Sequence, residues 1–206
     1  LAHYANAAVA IEYDFPFGFK EVEGIHSRTD FDLKQHQEFS KKKMQFFDPE
    51  INQNYIPYVV ETSVGLDRLF LTVFASSLVH EDLSTEEKQD SRVVLKFHPA
   101  IAPVKAAILP LTKKDGLPEK AREIMAKLKL DYNVQYDEKD AIGKRYRRQD
   151  AIGTPYCITV DHQSLEDDMV TIRHRDSMEQ ERVDIADLGR IIGERVSMTT
   201  LLTQLV

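Results

Sequence analysis

The chain has 206 residues, 42% of them hydrophobic and 30% charged, with one cysteine and a formal net charge of -7. That length supports one large domain or two small ones with real cores, and the single Cys157 excludes a disulfide framework. The longest apolar run, LFLTVFASSLV, falls well short of the roughly 20 residues that a membrane-spanning helix needs. The charge is uneven: residues 1–92 carry 9 Lys and Arg against 16 Asp and Glu, and residues 93–206 carry 18 against 18. A polyanion would therefore meet local patches and not the sum. No secretory signal is visible, and the composition fits a soluble, cytoplasmic protein.

In chain order, the first informative stretch is GFKEVEGIHSRTDFDLKQH, Gly18 to His36. It reads as a strand with Glu21 and Glu23 on one face, ending near Gly24 and followed by a charged turn with Arg28, Asp30 and Asp32. Two carboxylates on one strand face ordinarily mean solvent. Next, ETSVGLDR, Glu61 to Arg68, sets a carboxylate, a hydroxyl, a glycine and an arginine where a helix must begin. Leu66, Leu69, Phe70, Val73, Phe74 and Leu78 recur at steps of three and four, which predicts a helix with one long face buried as core. Gly65 removes a side chain where the backbone turns in, and the first free N–H groups can face an anion such as phosphate. Arg68 is out of place on dipole grounds, since a cation in the first turn costs up to about 1 kcal/mol. A negative partner is expected to offset it. The plainer alternative is that Asp67 helps the helix start, Arg68 makes a surface ion pair, and Glu61 and Ser63 are ordinary strand residues.

HEDLSTEEKQDSR, His80 to Arg92, is polar and aperiodic and reads as a linker or exposed loop. Beyond it the pattern alternates. VKAAILPLT reads as a buried strand, and LPEKAREIMAKLKL as a helix with Pro118 in its first turn and Ala121, Ile124, Met125 and Leu128 on one face. YNVQYDE reads as a strand, GKRYRRQDAIG as a short helix stopped by Gly153, and PYCITVD as another strand. VTIRHRD and QERVD form a hairpin, and residues 185–205 close the chain as a helix. This order predicts a two-layer or three-layer α/β module with a mixed sheet. The seven His are scattered, His26 and His98 among them as loop or turn residues, and Cys157 lies in an apolar run, so no transition-metal site is predicted.

EVEGIHSRTDFDL, ETSVGLDR, GKRYRRQDAIGTPYC and VTIRHRDSMEQ together resemble the class II glycyl-tRNA synthetases. In that family an E-x-E-G-I strand precedes motif 3, which ends in G-x-x-R at a helix start. The resemblance covers essentially the whole chain. It implies an α/β protein: the end of an antiparallel-sheet catalytic core, residues 1–88, followed by a mixed-sheet anticodon-binding domain, residues 93–206. By similarity, Glu21 and Val22 lie against ATP, and Glu61, Thr62, Ser63, Val64 and Gly65 line the glycine pocket. Gly65, Leu66, Asp67 and Arg68 close over the nucleotide, with Arg68 as the motif 3 arginine and Glu21 as an indirect ligand of magnesium carried in with ATP. Arg28 is a weaker candidate for the substrate carboxylate or phosphates and could equally pair with Asp30 or Asp32.

The chemistry of the residues agrees with those roles. Glycine offers no side chain to grip, so a selective pocket must hold its ammonium and carboxylate and fill the remaining space; Glu61 can pair with the ammonium, and Ser63 would face the same side of a strand. Arg68 can pair with phosphate and stack on adenine. The implied partners are glycine, ATP, tRNA(Gly) and a second copy in a homodimer. For RNA, Lys144, Arg145, Arg147 and Arg148 beside Tyr146, then Arg173 and Arg175, are the candidates, because guanidinium and tyrosine planes stack on splayed bases. Their alternative is a solvated face with ion pairs to Asp140 and Asp150.

Motifs 1 and 2 of the family are absent, and the chain begins LAHYANAAVA. The expectation is a C-terminal portion that does not aminoacylate by itself and exposes apolar surface where its partners would sit. Two other classes stay open: a non-catalytic tRNA-binding module, and a synthetase-derived accessory subunit. A class II synthetase for proline, threonine or histidine is the nearer rival.

Overall fold

A computed structural model describes residues 1–203, which form two compact units, Leu1–Ser76 and a second from Ser77 onward. In the first, strands β1 (Ala7–Phe15) and β2 (Gly18–Ser27) form an antiparallel hairpin, followed by helix α1 (Phe31–Ser40). A short hairpin, β3 (Phe46–Asp48) with β4 (Gln53–Tyr55), leads to β5 (Val60–Val64) and helix α2 (Leu66–Ser77). The sheet order is β1-β2-β5, so β2 is the central strand and β5 its antiparallel neighbour.

Two expectations change here. The strand does not end near Gly24; it continues to Ser27, and FDLKQH lies in α1, with Asp30 at its N-cap. A glycine interrupts a strand only where the backbone must turn, and Gly24 instead sits buried between two paired neighbours. The second concerns α2: the helix forms over Leu66–Ser77 and stops one residue short of Leu78, which begins the next strand, and Leu66, Phe70 and Leu69 are 79%, 67% and 43% exposed. Periodicity identifies the face a helix would bury, not whether a covering element is present. Of the large apolar side chains in residues 1–76, Phe15 alone is buried among the described residues.

The second unit opens with an antiparallel hairpin, β6 (Leu78–Asp82) and β7 (Ser91–Leu95), so the two ends of the stretch read as a linker are paired strand and residues 83–90 between them form the connecting loop. There follow β8 (Ala106–Pro110), α3 (Leu117–Leu128), β9 (Val134–Tyr136), α4 (Ile142–Ile152) and β10 (Tyr156–Val160). A one-turn helix α5 (Ser164–Asp167), strands β11 (Met169–His174) and β12 (Gln180–Asp184), and helices α6 (Leu188–Val196) and α7 (Met198–Thr203) complete it. The sheet order is β12-β11-β10-β8-β9, parallel across β10, β8 and β9 and antiparallel at the β11–β12 edge.

The unit has three layers. On one sheet face Ala106, Ile108, Ile158 and Ile172 meet Leu117, Ile124 and Leu128 of the α3 region and Leu188 and Ile192 of α6. On the other, Ala107, Leu109 and Cys157 meet Ile142 and Tyr146 of α4. Strands buried on both faces read as continuous apolar runs, which is why AAILP and YCITV stood out in the sequence. Pro118 lies in the first turn of α3, and Gly153 ends α4 at φ +83°. A side chain at Gly153 would stand 2.6 Å from the Phe97 ring and 2.9 Å from the Leu95 carbonyl oxygen. The closing helix is broken: a 3-10 turn (Ile185–Asp187) precedes α6, and extended Ser197 separates α6 from α7. Gln204 and Leu205, included in the predicted helix, lie outside the described residues.

Candidate functional site

The register of β2 against its two neighbours builds the site. Val22 is skipped in the β1 ladder: Ile11 faces Glu23, while Glu12 faces Glu21. That bulge turns Glu21 away from Glu23 and onto the face of Gly24 and His26. A β-carbon on Gly24 would stand 2.9 Å from the His26 ring and 3.6 Å from the Glu21 carboxylate, so both side chains overhang the bare glycine. The expectation that Glu21 and Glu23 share a face is therefore corrected, because a bulge inverts the alternation beyond it.

Across the other ladder, Gly24 faces Ser63 and His26 faces Glu61. Directly paired residues project to the same side, so Glu21, His26, Glu61 and Ser63 surround the Gly24 backbone. Thr62 and Val64 pair with Ile25 and Glu23 and project to the opposite side, where they could reach this face only through their main chain.

Arg28, just past β2, joins the set. Its guanidinium donates to the Glu61 carboxylate and, by two nitrogens, to Asp32 in the first turn of α1, and lies 4.1 Å from the centre of the Tyr4 ring. The hydrogen bond from Arg28 holds the Asp32 carboxyl below the usual carboxylate range. Asp30 pairs with Lys34 instead. One carboxylate oxygen of Glu61 is taken by Arg28; the other forms no protein hydrogen bond among the described residues. An acceptor is thus left for an incoming N–H group, held in place from behind by a cation.

Gly65 leads into α2, where the Leu69 amide closes on its carbonyl. The Arg68 guanidinium donates to the main-chain carbonyl oxygen of Glu21. The expected negative partner is therefore a peptide dipole at the bulge. Arg68 is exposed and uses one nitrogen in this contact, which leaves its planar face and remaining donors open. The same bond ties the start of α2 to the strand that bears Glu21, so Leu66, Asp67 and Arg68 follow directly from the Glu61 strand.

The basic residues of the second unit are placed differently. Arg145 is 2% exposed and donates to the carbonyl oxygens of Pro110, Leu111 and Asp137. Arg173 is bound by both oxygens of fully buried Asp150, which Arg92 of β7 also reaches at 2.9 Å. Arg175 donates to Gly153, Phe97 and Asp176. Arg145, Arg173 and Arg175 are internal struts: all three are buried, and their guanidinium groups are engaged by main-chain carbonyl oxygens or carboxylates of this unit. Arg147 pairs with Asp90, and Arg148 with Asp137 and Asp140, both at partly exposed positions. Lys144 is exposed and forms no ion pair among the described residues. Arg148 also borders an open cleft of about 490 Å³ with Tyr136, Asp137 and Ile152.

Among the described residues no group of three or more His, Cys, Asp or Glu is placed to hold a metal ion, and no helix is long and apolar enough to cross a membrane.

Residues 105–195 match the family model described as the anticodon binding domain. The chain is 54% identical over 190 residues to the glycine-tRNA ligase of Borrelia hermsii, which covers 91% of this chain and 42% of the relative. It is 51% identical over 197 residues to that of Staphylococcus haemolyticus, covering 96% and 42%, and 53% identical over 196 residues to that of Clostridium tetani, covering 95% and 41%. The chain matches the C-terminal portion of a class II glycyl-tRNA synthetase. It spans about two fifths of the length of the curated relatives it matches. The α/β class and the mixed sheet expected for this family are those found in the second unit. The His26 overhang, the Tyr4 ring and the bulge at Val22 are the parts of the site that sequence reasoning missed. Nothing in a run of strand-forming residues marks where a bulge falls.

Proposed function

We propose that the full-length protein containing this chain is a glycine-tRNA ligase, which joins glycine and ATP into glycyl-adenylate and transfers glycyl to tRNA(Gly). The observation that carries the reading is the face formed by Glu61, Ser63, Glu21 and His26 around Gly24, found in a chain that matches glycine-tRNA ligases over nearly its whole length.

In this reading the free oxygen of Glu61 accepts from the glycine ammonium, and the Ser63 hydroxyl adds a second acceptor. Arg28 fixes the Glu61 carboxylate and keeps the recess from being purely anionic. Bulkier amino acids are rejected by volume, since Glu21 and His26 fill the space above the glycine backbone. Arg68 grips the nucleotide by charge and by stacking, and the Glu21 and Val22 main chain lies against it. Magnesium supplies charge neutralisation on the ATP phosphates and arrives with the nucleotide, with Glu21 as the carboxylate that would hold it indirectly. Acceleration comes from positioning and charge, as in phosphate chemistry generally. In the second unit Lys144, Arg147 and Arg148 are the candidates for RNA. Residues 1–88 act as the end of the catalytic core and 93–206 as the anticodon module, in a cytoplasmic homodimer.

The test is amino-acid-dependent ATP-pyrophosphate exchange by the full-length protein. Exchange with glycine and none with proline, threonine or histidine supports the reading; exchange with one of those three in place of glycine overturns it.

A further inference from the structure

The loop between α1 and β3 carries three consecutive lysines, Lys41, Lys42 and Lys43, in a unit whose charge is otherwise acidic. All three are exposed, and none forms an ion pair among the described residues. The run is not slack backbone. Lys41 takes a left-handed conformation at φ +60° and its amide bonds to the Gln37 carbonyl; the Lys42 amide bonds to Ser40 Oγ, and the Met44 amide to Gln37 Oε1. A cation at the end of a helix is favoured by the dipole, which accounts for Lys41 but not for two more beyond it.

The lysines open directly onto the β3–β4 hairpin. Phe46 and Tyr55 face each other across it, with ring centres 5.9 Å apart, and Phe47 projects from the opposite face. These rings are 53%, 42% and 50% exposed. The hairpin returns beside the site: the Val59 amide bonds to the Thr29 carbonyl and the Arg28 amide to the Val59 carbonyl, one residue before β5 begins.

We propose that Lys41–Lys43 with Phe46, Phe47 and Tyr55 form a docking surface for single-stranded RNA, which holds the acceptor end of the tRNA next to the Glu61 face. The inference rests on the ligase reading above and names a surface for its RNA substrate. Charge selects the occupant: lysine is depleted at protein-protein interfaces, where burying it is costly, whereas a phosphate backbone gains from each ammonium. Exposed aromatic rings next to such a run provide stacking platforms for unpaired bases.

The test uses the full-length protein with Lys41→Asn, Lys42→Gln and Lys43→Gln combined, asparagine being tolerated in the left-handed conformation. Glycine-dependent ATP-pyrophosphate exchange should be unchanged, while KM for tRNA in aminoacylation rises ten-fold or more. The slope of log affinity for tRNA against log salt should flatten by about 2, at roughly 0.7 per phosphate contact on a single strand. Phe47→Ser should raise KM for tRNA without altering that slope. Unchanged tRNA KM and slope would overturn the proposal. So would exchange falling in step with aminoacylation, which would mean that the hairpin packs against the rest of the protein. Absence of glycine-dependent exchange in the unsubstituted protein would instead remove the ligase reading, and this surface with it.

Discussion

Arg28 and Glu61, 33 residues apart, are joined guanidinium to carboxylate across the β2–β5 edge, and the same guanidinium holds Asp32. One cation thus sets the orientation of the carboxylate proposed to receive the substrate amine. Arg28→Lys keeps the charge but cannot span both carboxylates and the Tyr4 face. In the full-length protein it should raise KM for glycine by about ten-fold, ~1.4 kcal/mol, with KM for ATP little changed. Steady-state exchange kinetics at varied glycine and varied ATP check this.

The buried cluster of Asp150 with Arg92 and Arg173 joins α4 to β7 and β11. Asp150→Asn removes the anion, which leaves buried Arg173 without a counter-ion and Arg92 with Glu81 alone. Breaking a buried pair in this way costs roughly 3–5 kcal/mol, so urea denaturation should show a large loss of stability. Lys144→Gln, on the exposed side of the same helix, should stay within about 0.5 kcal/mol of the parent.

Two glycines of α4 should respond in opposite directions. Gly143 lies within the helix, and a β-carbon there meets nothing within 4 Å, so Gly143→Ala should stabilise by about 0.5–1 kcal/mol. Gly153 has φ +83° and no room beside Phe97 and Leu95, so Gly153→Ala should destabilise by more than 1 kcal/mol. Thermal midpoints of the two variants give the comparison.

Burial pushes the Cys157 thiol from its ordinary value near 9 up to about 12. Below pH 9 the thiol is neutral folded and unfolded, and it contributes no pH dependence. Between 9 and 12 only the unfolded thiol ionises, so stability falls as pH rises through that window. At pH 8 a thiol reagent should label the native chain orders of magnitude more slowly than the denatured chain. Rapid labelling of the native chain would show that β10 is open to solvent.

The second unit was largely legible in the sequence because its signals are local. AAILP and YCITV are unbroken apolar runs, Pro118 and Gly153 mark a helix start and stop, and Ala121, Ile124 and Leu128 fall on one face. The first unit was less so. Glu61 and Ser63 alternate as a strand requires, but whether Glu21 joins them depends on one unpaired residue, Val22, and register is a property of two strands together. The basic residues misled for a similar reason: GKRYRR looks like a solvated face, yet Arg145 turns inward to carbonyl groups that no sequence pattern displays. The apolar stripe of α2 was read as buried because periodicity carries no information about the partner.

The most direct test of the account is Glu61→Gln in the full-length protein, with exchange kinetics for glycine and an equilibrium titration of ATP measured on the same preparation. A carboxylate that receives the substrate ammonium predicts that the apparent affinity for glycine falls by ten-fold or more while the ATP dissociation constant stays within about two-fold, the former amounting to at least ~1.4 kcal/mol. Equal weakening of both ligands, or no change in glycine dependence, would contradict it.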